Sequence, residues 1–315
     1  MFIKTSSMRH IHNKRKVINF MKWDTLVFFC FGILFIIALI IINVRGFHWG
    51  LDFTGGTVIE ISTQKSVNLD QIRINLQKEG FINLQVQNFD NSRNIIIYFS
   101  ETEDNKDVKN RDKIIQIINH TLQENTLVKR IEFVGPRVGS ELLITGVIAL
   151  ISALIAIFLY ITFRFVWRLA LGIVLALIYD LGMTIGCLSL YQIEIDLTIL
   201  ASLLSVIGYS LNDKIVVSDR IRENFRKFSS DSAFEITNLS ITQTFSRTII
   251  TSLITLMMVL ILLIFGGTML HGFSLTMLIG IIIGTISSIY VSSSLALKLG
   301  MKKEYITDKK NEIVI

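Results

Sequence analysis

Leu197–Val217 reads LTILASLLSVIGYSLNDKIVV. It is long and apolar enough to cross a bilayer, whose hydrocarbon core takes about 20 helical residues. Yet it holds Asp213. An ionised carboxylate at membrane depth costs about 2.5–3.5 kcal/mol on insertion scales, so a helix that keeps one pairs it, hydrates it or uses it. A second acid, Asp180, lies near the middle of another apolar stretch, and Arg247 stands at the mouth of a third. Acids and a cation at membrane depth point to ion or proton movement before they point to a soluble catalyst.

The chain is 51% hydrophobic and only 18% charged, where a soluble domain carries about 25% charged residues. The apolar excess falls into six blocks of spanning length: Thr25–Val44, Leu142–Phe163, Leu169–Leu190, Leu197–Val217, Thr248–Phe265 and Phe273–Leu297. The first two contain no charge, and the third and fourth are interrupted by Asp180, Asp213 and Lys214. A six-span membrane bundle is predicted, with tails at 1–24 and 298–315. The first apolar run is too long for a signal peptide and lacks a small-residue cleavage site, so it is expected to be retained.

The net charge of +6 could suggest a nucleic-acid partner, but its distribution argues otherwise. The cations cluster in the N-terminal tail, the Arg164–Arg168 turn and the C-terminal tail, while the loops Tyr191–Asp196 and Gly266–Gly272 carry none. That alternation is the positive-inside pattern of a six-span protein with both ends cytoplasmic. Cys30 and Cys187 fall inside spans and read as apolar packing residues. The five histidines are scattered without metal spacing, and no nucleotide-binding or hydrolase motif occurs. No cofactor, metal or enzyme activity is expected.

One long polar segment, Arg45–Glu141, separates the first two spans. It holds 12 Lys/Arg and 13 Asp/Glu, so it is nearly neutral, and the basic tail before it places it outside. Thr57–Thr63 alternates like a strand. Leu69–Phe81 has helical spacing, with Asn68 as N-cap and a stop at Gly80. Leu84–Phe89 and Asn94–Ser100 read as a hairpin turning through Asp90, Asn91 and Ser92. Arg111–Asn125 is a second amphipathic helix, and Leu127–Val134 a last strand. The order βαββαβ is that of an α+β, ferredoxin-like domain.

Several motifs allow two readings each. Gly55-Gly56 makes a tight turn into the first strand; the rival reading, a phosphate-cradling loop, lacks a following helix and a Lys or Ser/Thr in P-loop register. Gly135, Pro136 and Gly139, which include the only proline in the chain, form either a hinge or a plain turn before the second span. Gly280, Gly284, Ser288 and Ser292, continued by Ala296 and Gly300, form a stripe of small residues four apart. Such a stripe lets helices approach closely in lipid, as fixed packing or as a sliding surface. If the fourth helix runs inward, Asp213 lies about 6 Å from its cytoplasmic edge at 1.5 Å per residue, and Arg247 enters from the same side. Their pair is either structural or a proton relay, because a neighbouring cation and desolvation push a carboxylate's proton affinity in opposite directions. Lys214 adjoins Asp213 and could neutralise it. Neighbours on a helix point about 100° apart, so it receives minor weight.

The stretches WGLDFTGG (49–56), FVGPRVGSEL (133–142), GYSLNDKIVVSDRIREN (208–224), FSRTIITS (245–252) and FGGTMLHGFSLTMLIGIIIGTISSIYVSS (265–293) resemble the SecD/SecF family of protein-export proteins, on its SecF side. The resemblance implies an inner-membrane protein whose six helices form one half of an RND-like fold, paired with SecD. It implies association with the SecYEG channel and YajC, and use of the proton-motive force to draw unfolded polypeptides outward after the ATP-driven step. It carries proton-path roles to Asp213 and Arg247, and a less defined one to Asp180. The rival expectation is half of an RND-type exporter of small molecules or lipids; the single small outer domain argues against it. A passive scaffold would have no need to bury charges.

Overall fold

The computed structural model describes residues 17–63, 69–78, 82–89, 91–100, 115–116, 119–120, 127–134, 136–228 and 232–299. In chain order its main elements are helix α1 (Asp24–Arg45), strand β1 (Gly56–Ser62), helix α2 (Leu69–Lys78), strands β2 (Ile82–Phe89), β3 (Asn91–Ser100) and β4 (Leu127–Val134), and helices α3 (Pro136–Arg164), α4 (Trp167–Leu190), α5 (Leu197–Lys227), α6 (Ala233–Phe265), α7 (Gly267–Ile289) and α8 (Val291–Lys298). The chain divides into two compact units, Trp49–Val147 and the remainder.

In the smaller unit the sheet order is β2-β3-β1-β4, and every neighbouring pair is antiparallel. Alternation puts Ile59, Ile61, Ile95, Ile97 and Phe99 on one face, where Ile72 and Leu76 of α2 complete a buried core with Val86. On this face β-branched side chains pack well against the pleat. The hairpin is tighter than its turn residues suggested. Phe89 pairs directly with Asn91, so Asn91 and Ser92 belong to β3, and the register shift at Asn88/Phe89 absorbs the reversal. The expected N-cap Asn68, the stop at Gly80 and Asp90 lie outside the described residues. Of the expected helix at 111–125, residues 115–116 and 119–120 are described and helical.

Before β1, Leu51–Thr54 makes one helical turn, and Gly55 (φ +69°) and Gly56 (φ +130°) follow it. No L side chain tolerates the second angle without strain. Pro136 opens α3 as its first residue, a position where its missing N–H costs nothing. The second helix therefore begins six residues ahead of the expected span at 142. Gly139 lies within it, and a Cβ there would stand 2.7 Å from the carbonyl oxygen of Phe53. Gly139 is thus a close-packing position inside a helix. Gly135 lies outside the described residues.

Among the described residues six stretches are long and apolar enough to cross a membrane: Phe20–Arg45, Val138–Arg164, Trp167–Leu190, Leu197–Lys227, Ala233–Phe265 and Leu270–Lys298. α4, α5 and α7–α8 are half-buried and central, whereas α1, α3 and α6 are peripheral. The outer helices expose Phe29, Ile33 and Ile40 of α1, Ile151 and Ile155 of α3, and Met257 and Ile261 of α6. A water-soluble protein would not leave so broad an apolar surface uncovered; a bilayer solvates it.

Small residues decide where the helices touch. α1 meets α4 where a Cβ at Gly186 would stand 2.6 Å from Ala38 Cβ, and Phe31 and Phe35 pack on the Tyr179 ring. Gly280 and Gly284 of α7 face Val206 and Ser210 of α5, and Gly172 of α4 faces Ser292 and Ala296 of α8. The small-residue stripe thus serves two neighbours, α5 with its glycines and α4 with its later members. Ser288 is buried and turns its hydroxyl onto Thr285 O at 2.8 Å.

Two boundaries differ from the sequence reading. The expected loop 266–272 is a sharp turn at Gly266-Gly267, since Gly267 takes φ +70° and α7 starts there. The expected single last span is two helices meeting at Tyr290. Serines crowd the junction, and Ser288 bonds back to the Thr285 carbonyl of its own helix, a contact that bends helices.

Helix ends follow their caps. Asp196 accepts from Ile199 N at 2.7 Å and starts α5. Ser232 and Glu235 form a full capping box at the start of α6, where a hydroxyl satisfies an orphan N–H. The ends of α5 and α6 beyond the apolar stretches are tied by polar contacts. Arg220 Nε bonds Gln243 Oε1 at 2.5 Å, Asn224 bonds Ser240 at 2.8 Å, and Asn238 receives Met21 N at 2.9 Å.

Candidate functional site

Polar side chains in the middle of the bundle come from α4, α5, α6 and α7 and fall into two clusters. α5 sets the division. Ser210 and Lys214 are one turn apart and share a face, while Asp213 precedes Lys214 and points about 100° away.

The first cluster lies between α4 and α5. Lys214 Nζ stands 2.5 Å from Asp180 Oδ2 and 2.5 Å from Ser210 Oγ, and the Ser210 hydroxyl donates to the same carboxylate oxygen. Asp180 is 1% exposed and Lys214 0%. Asp180 Oδ1 is buried without a hydrogen-bond partner among the described residues. Gly284 lies against this group; a Cβ there would stand 2.8 Å from Ser210 Oγ and 3.6 Å from Asp180 Oδ2.

The second cluster lies between α5, α6 and α7. Asp213, 4% exposed, accepts from Ser252 Oγ at 3.5 Å. Ser252 in turn accepts from Thr285 Oγ1 at 2.8 Å and from the Tyr209 hydroxyl at 3.3 Å. Consecutive residues on two helices, 213 and 214 on α5 and 284 and 285 on α7, therefore serve different clusters.

The expected Asp213–Arg247 contact is not made. Arg247 is exposed and, among the described residues, forms no ion pair with Asp213; its charge reaches the acid through space, as does that of Lys214. Arg247 starts five residues ahead of Ser252 on α6, about 7.5 Å along the axis, so its side chain must turn inward to meet the acid. Lys214, given minor weight because adjacent helical residues point about 100° apart, is a cation fully buried in the bundle, and it pairs with the other acid. The i, i+4 spacing of Ser210 and Lys214 was the signal for this. The hydroxyls of Ser252 and Thr285 were not singled out; serine and threonine in apolar spans were too common to distinguish them. Among the described residues no group of His, Cys, Asp and Glu could hold a metal.

Two family descriptions match the chain: "SecD/SecF GG Motif" over residues 40–67, the region of the two strained glycines, and "Protein export membrane protein SecD/SecF, C-terminal" over residues 113–302, which holds both clusters. Along its length the chain is 54% identical to Protein translocase subunit SecF of Escherichia coli O157:H7, covering 97% of this chain and 95% of that one. The chain belongs to the SecF family of protein translocase subunits. The SecF relative of Vibrio alginolyticus is 48% identical over 95% of each chain. Membership makes this an accessory subunit of Sec protein translocation and, with its six apolar helices, a multi-pass protein of the inner membrane.

The fold agrees with solved SecDF structures. The crystal structure of SecDF from Thermus thermophilus, described as a translocon-associated membrane protein, superposes with a TM-score of 0.80 at 35% identity, covering 89% of this chain and 38% of that one. SecDF in a super-membrane-facing form matches with a TM-score of 0.66 at 33% identity over 94% of this chain and 40% of that one. The SecF-family chain thus spans about two fifths of a SecDF chain.

Proposed function

We propose that this chain couples the proton-motive force to protein export through Asp213 and Arg247. Asp213 carries the reading. It is a carboxylate shut inside an apolar bundle, and among the described residues its one hydrogen bond is the long contact from Ser252. Protonated and neutral, it suits that environment, with the Ser252, Thr285 and Tyr209 hydroxyls as a path for the proton. Deprotonated, it is a buried charge in want of a cation. Arg247, exposed and about 7.5 Å along α6 from Ser252, is placed to supply one. Cycling between a protonated acid and an Asp213–Arg247 pair would work α6 against α5.

The partners in this reading are a SecD subunit, which supplies the remainder of a SecDF-like assembly, the SecYEG channel with YajC, and the unfolded polypeptide in transit. Both termini face the cytoplasm in this reading, which the alternation of basic and non-basic loops supports. The unit Trp49–Val147 is a ferredoxin-like domain on the outer side. In support, its sheet order β2-β3-β1-β4, with α2 after β1 and helical residues before β4, follows the split βαβ arrangement.

The test is Asp213→Asn, which keeps shape and hydrogen bonding but cannot release a proton near neutral pH. Export of a secreted reporter is followed with and without a proton gradient, alongside partner capture. Loss of the gradient-dependent part with capture intact is expected. Full gradient-dependent export would refute the relay, and joint loss of export and capture would make Asp213 a structural residue.

A further inference from the structure

Among the described residues of the bundle two acids are buried, Asp180 and Asp213, and their surroundings differ. Asp213 faces hydroxyls. Asp180 has a cation of its own at 2.5 Å, and both side chains of that pair are shut off from solvent. Lys214 is the longest side chain in the interior cluster, and at 0% exposure its ammonium does not snorkel to an interface, as lysines near span ends usually do. A lone ammonium there would be very costly. Asp180 Oδ2, Ser210 Oγ and the bare Gly284 together form a socket for it. The charged and titratable groups around the socket are Asp180 and Tyr179 on α4, Asp213 and Lys214 on α5, and Arg247 on α6. The adjoining part of α7, Gly284 to Ser288, carries no charge, and its Thr285 and Ser288 hydroxyls bond Ser252 and carbonyls of their own helix.

We propose that Lys214 is a fixed internal counter-charge for Asp180: it holds that acid ionised and out of proton exchange, so that Asp213 is the one carboxylate in the bundle that takes up and releases the proton. Lys214 is a positioning residue in this scheme, since it acts through Asp180. The scheme rests on Asp213 as the proton carrier. It removes Asp180 from the proton path that the sequence suggested, because a carboxylate already paired within 2.5 Å of an ammonium has its charge met in place. Asp213 has no such partner, so its protonation state remains free to change.

Dicyclohexylcarbodiimide, an apolar reagent that labels protonated carboxyl groups within membranes, separates the two acids. Membranes holding the full chain with its partner are treated near neutral pH, and label at each acid is read by peptide mass spectrometry. In the wild type, label is expected at Asp213, with Asp180 at background. In Lys214→Met, Asp180 loses its cation and must take a proton to stay buried, so its label should rise about a hundredfold or more. In Asp180→Asn/Lys214→Met both charges go together. Gradient-dependent export should then stay within about twofold of wild type, since replacing a buried ion pair as a unit is near neutral, and Asp213 should still label. Equal label on both acids in the wild type would overturn the proposal. So would an inserted, partner-bound Lys214→Met whose Asp180 stays unlabelled, or a well-assembled double variant that loses gradient-dependent export. If Lys214→Met does not insert, the wild-type pattern and the double variant decide. Asp213→Asn, run in parallel, fails independently: if it exports normally, the relay reading falls whatever the labelling of Asp180.

Discussion

Gly284→Ala should destabilise the bundle even though alanine is the better helix former. The added Cβ would stand 2.8 Å from Ser210 Oγ and 3.1 Å from Ser210 Cβ, whereas carbon atoms pack at about 3.5–4.0 Å. Either α5 withdraws by about half an ångström or Ser210 changes rotamer. The first response is overpacking, at about 1–3 kcal/mol. The second gives up hydrogen bonds to Asp180 and Lys214, and a bond to a charged group is worth about 1.5–3 kcal/mol. Alanine's helix propensity returns at most about 1 kcal/mol, which leaves a net loss of about 1 kcal/mol from the middle of either range. At about 2–4 °C per kcal/mol, the thermal midpoint of the purified protein in detergent should fall by about 2–4 °C. Gly208→Ala is the internal control, because nothing lies within 4 Å of a Cβ at that position on α5. It should be neutral or slightly stabilising. If Gly284→Ala proves as stable as Gly208→Ala, the close approach of α7 to the Asp180–Ser210–Lys214 cluster is wrong.

Two further outcomes follow from the helix ends and the topology. Ser232→Ala removes the hydroxyl half of the capping box, at about 1 kcal/mol, and hydrogen exchange at residues 233–236 should quicken while the interior of α6 keeps its protection. A cysteine at Ile74, half exposed on α2, should react with an impermeant reagent in intact cells; reaction only after the membrane is broken would invert the proposed orientation.

The helices were legible because a bilayer imposes a single length on apolar runs. Thus α1 occupies Asp24–Arg45 against an expected 25–44. Strand order within the smaller unit followed from alternation and turn residues. Less legible were features decided by close approach. The hairpin register at Phe89 and Asn91, the one-residue turn at Gly266-Gly267 and the break at Tyr290 depend on backbone angles that neighbouring residues do not announce. The site was half legible. Buried acids stand out in apolar sequence, so Asp180 and Asp213 were found at once. Their partners were not: the 100° step between adjacent helical residues turns Lys214 away from Asp213, but that it meets Asp180 there is decided by how α4 packs on α5, which spacing within one helix does not announce.

Proton flux tests the central claim most directly. The chain is reconstituted with its SecD partner into vesicles holding a pH-sensitive dye, and an inward proton gradient is imposed with the membrane potential clamped. Wild-type vesicles should acidify faster than empty ones, and Asp213→Asn vesicles no faster than empty ones, with equal amounts of both subunits recovered. Acidification by Asp213→Asn at the wild-type rate would contradict Asp213 as the group that carries the proton.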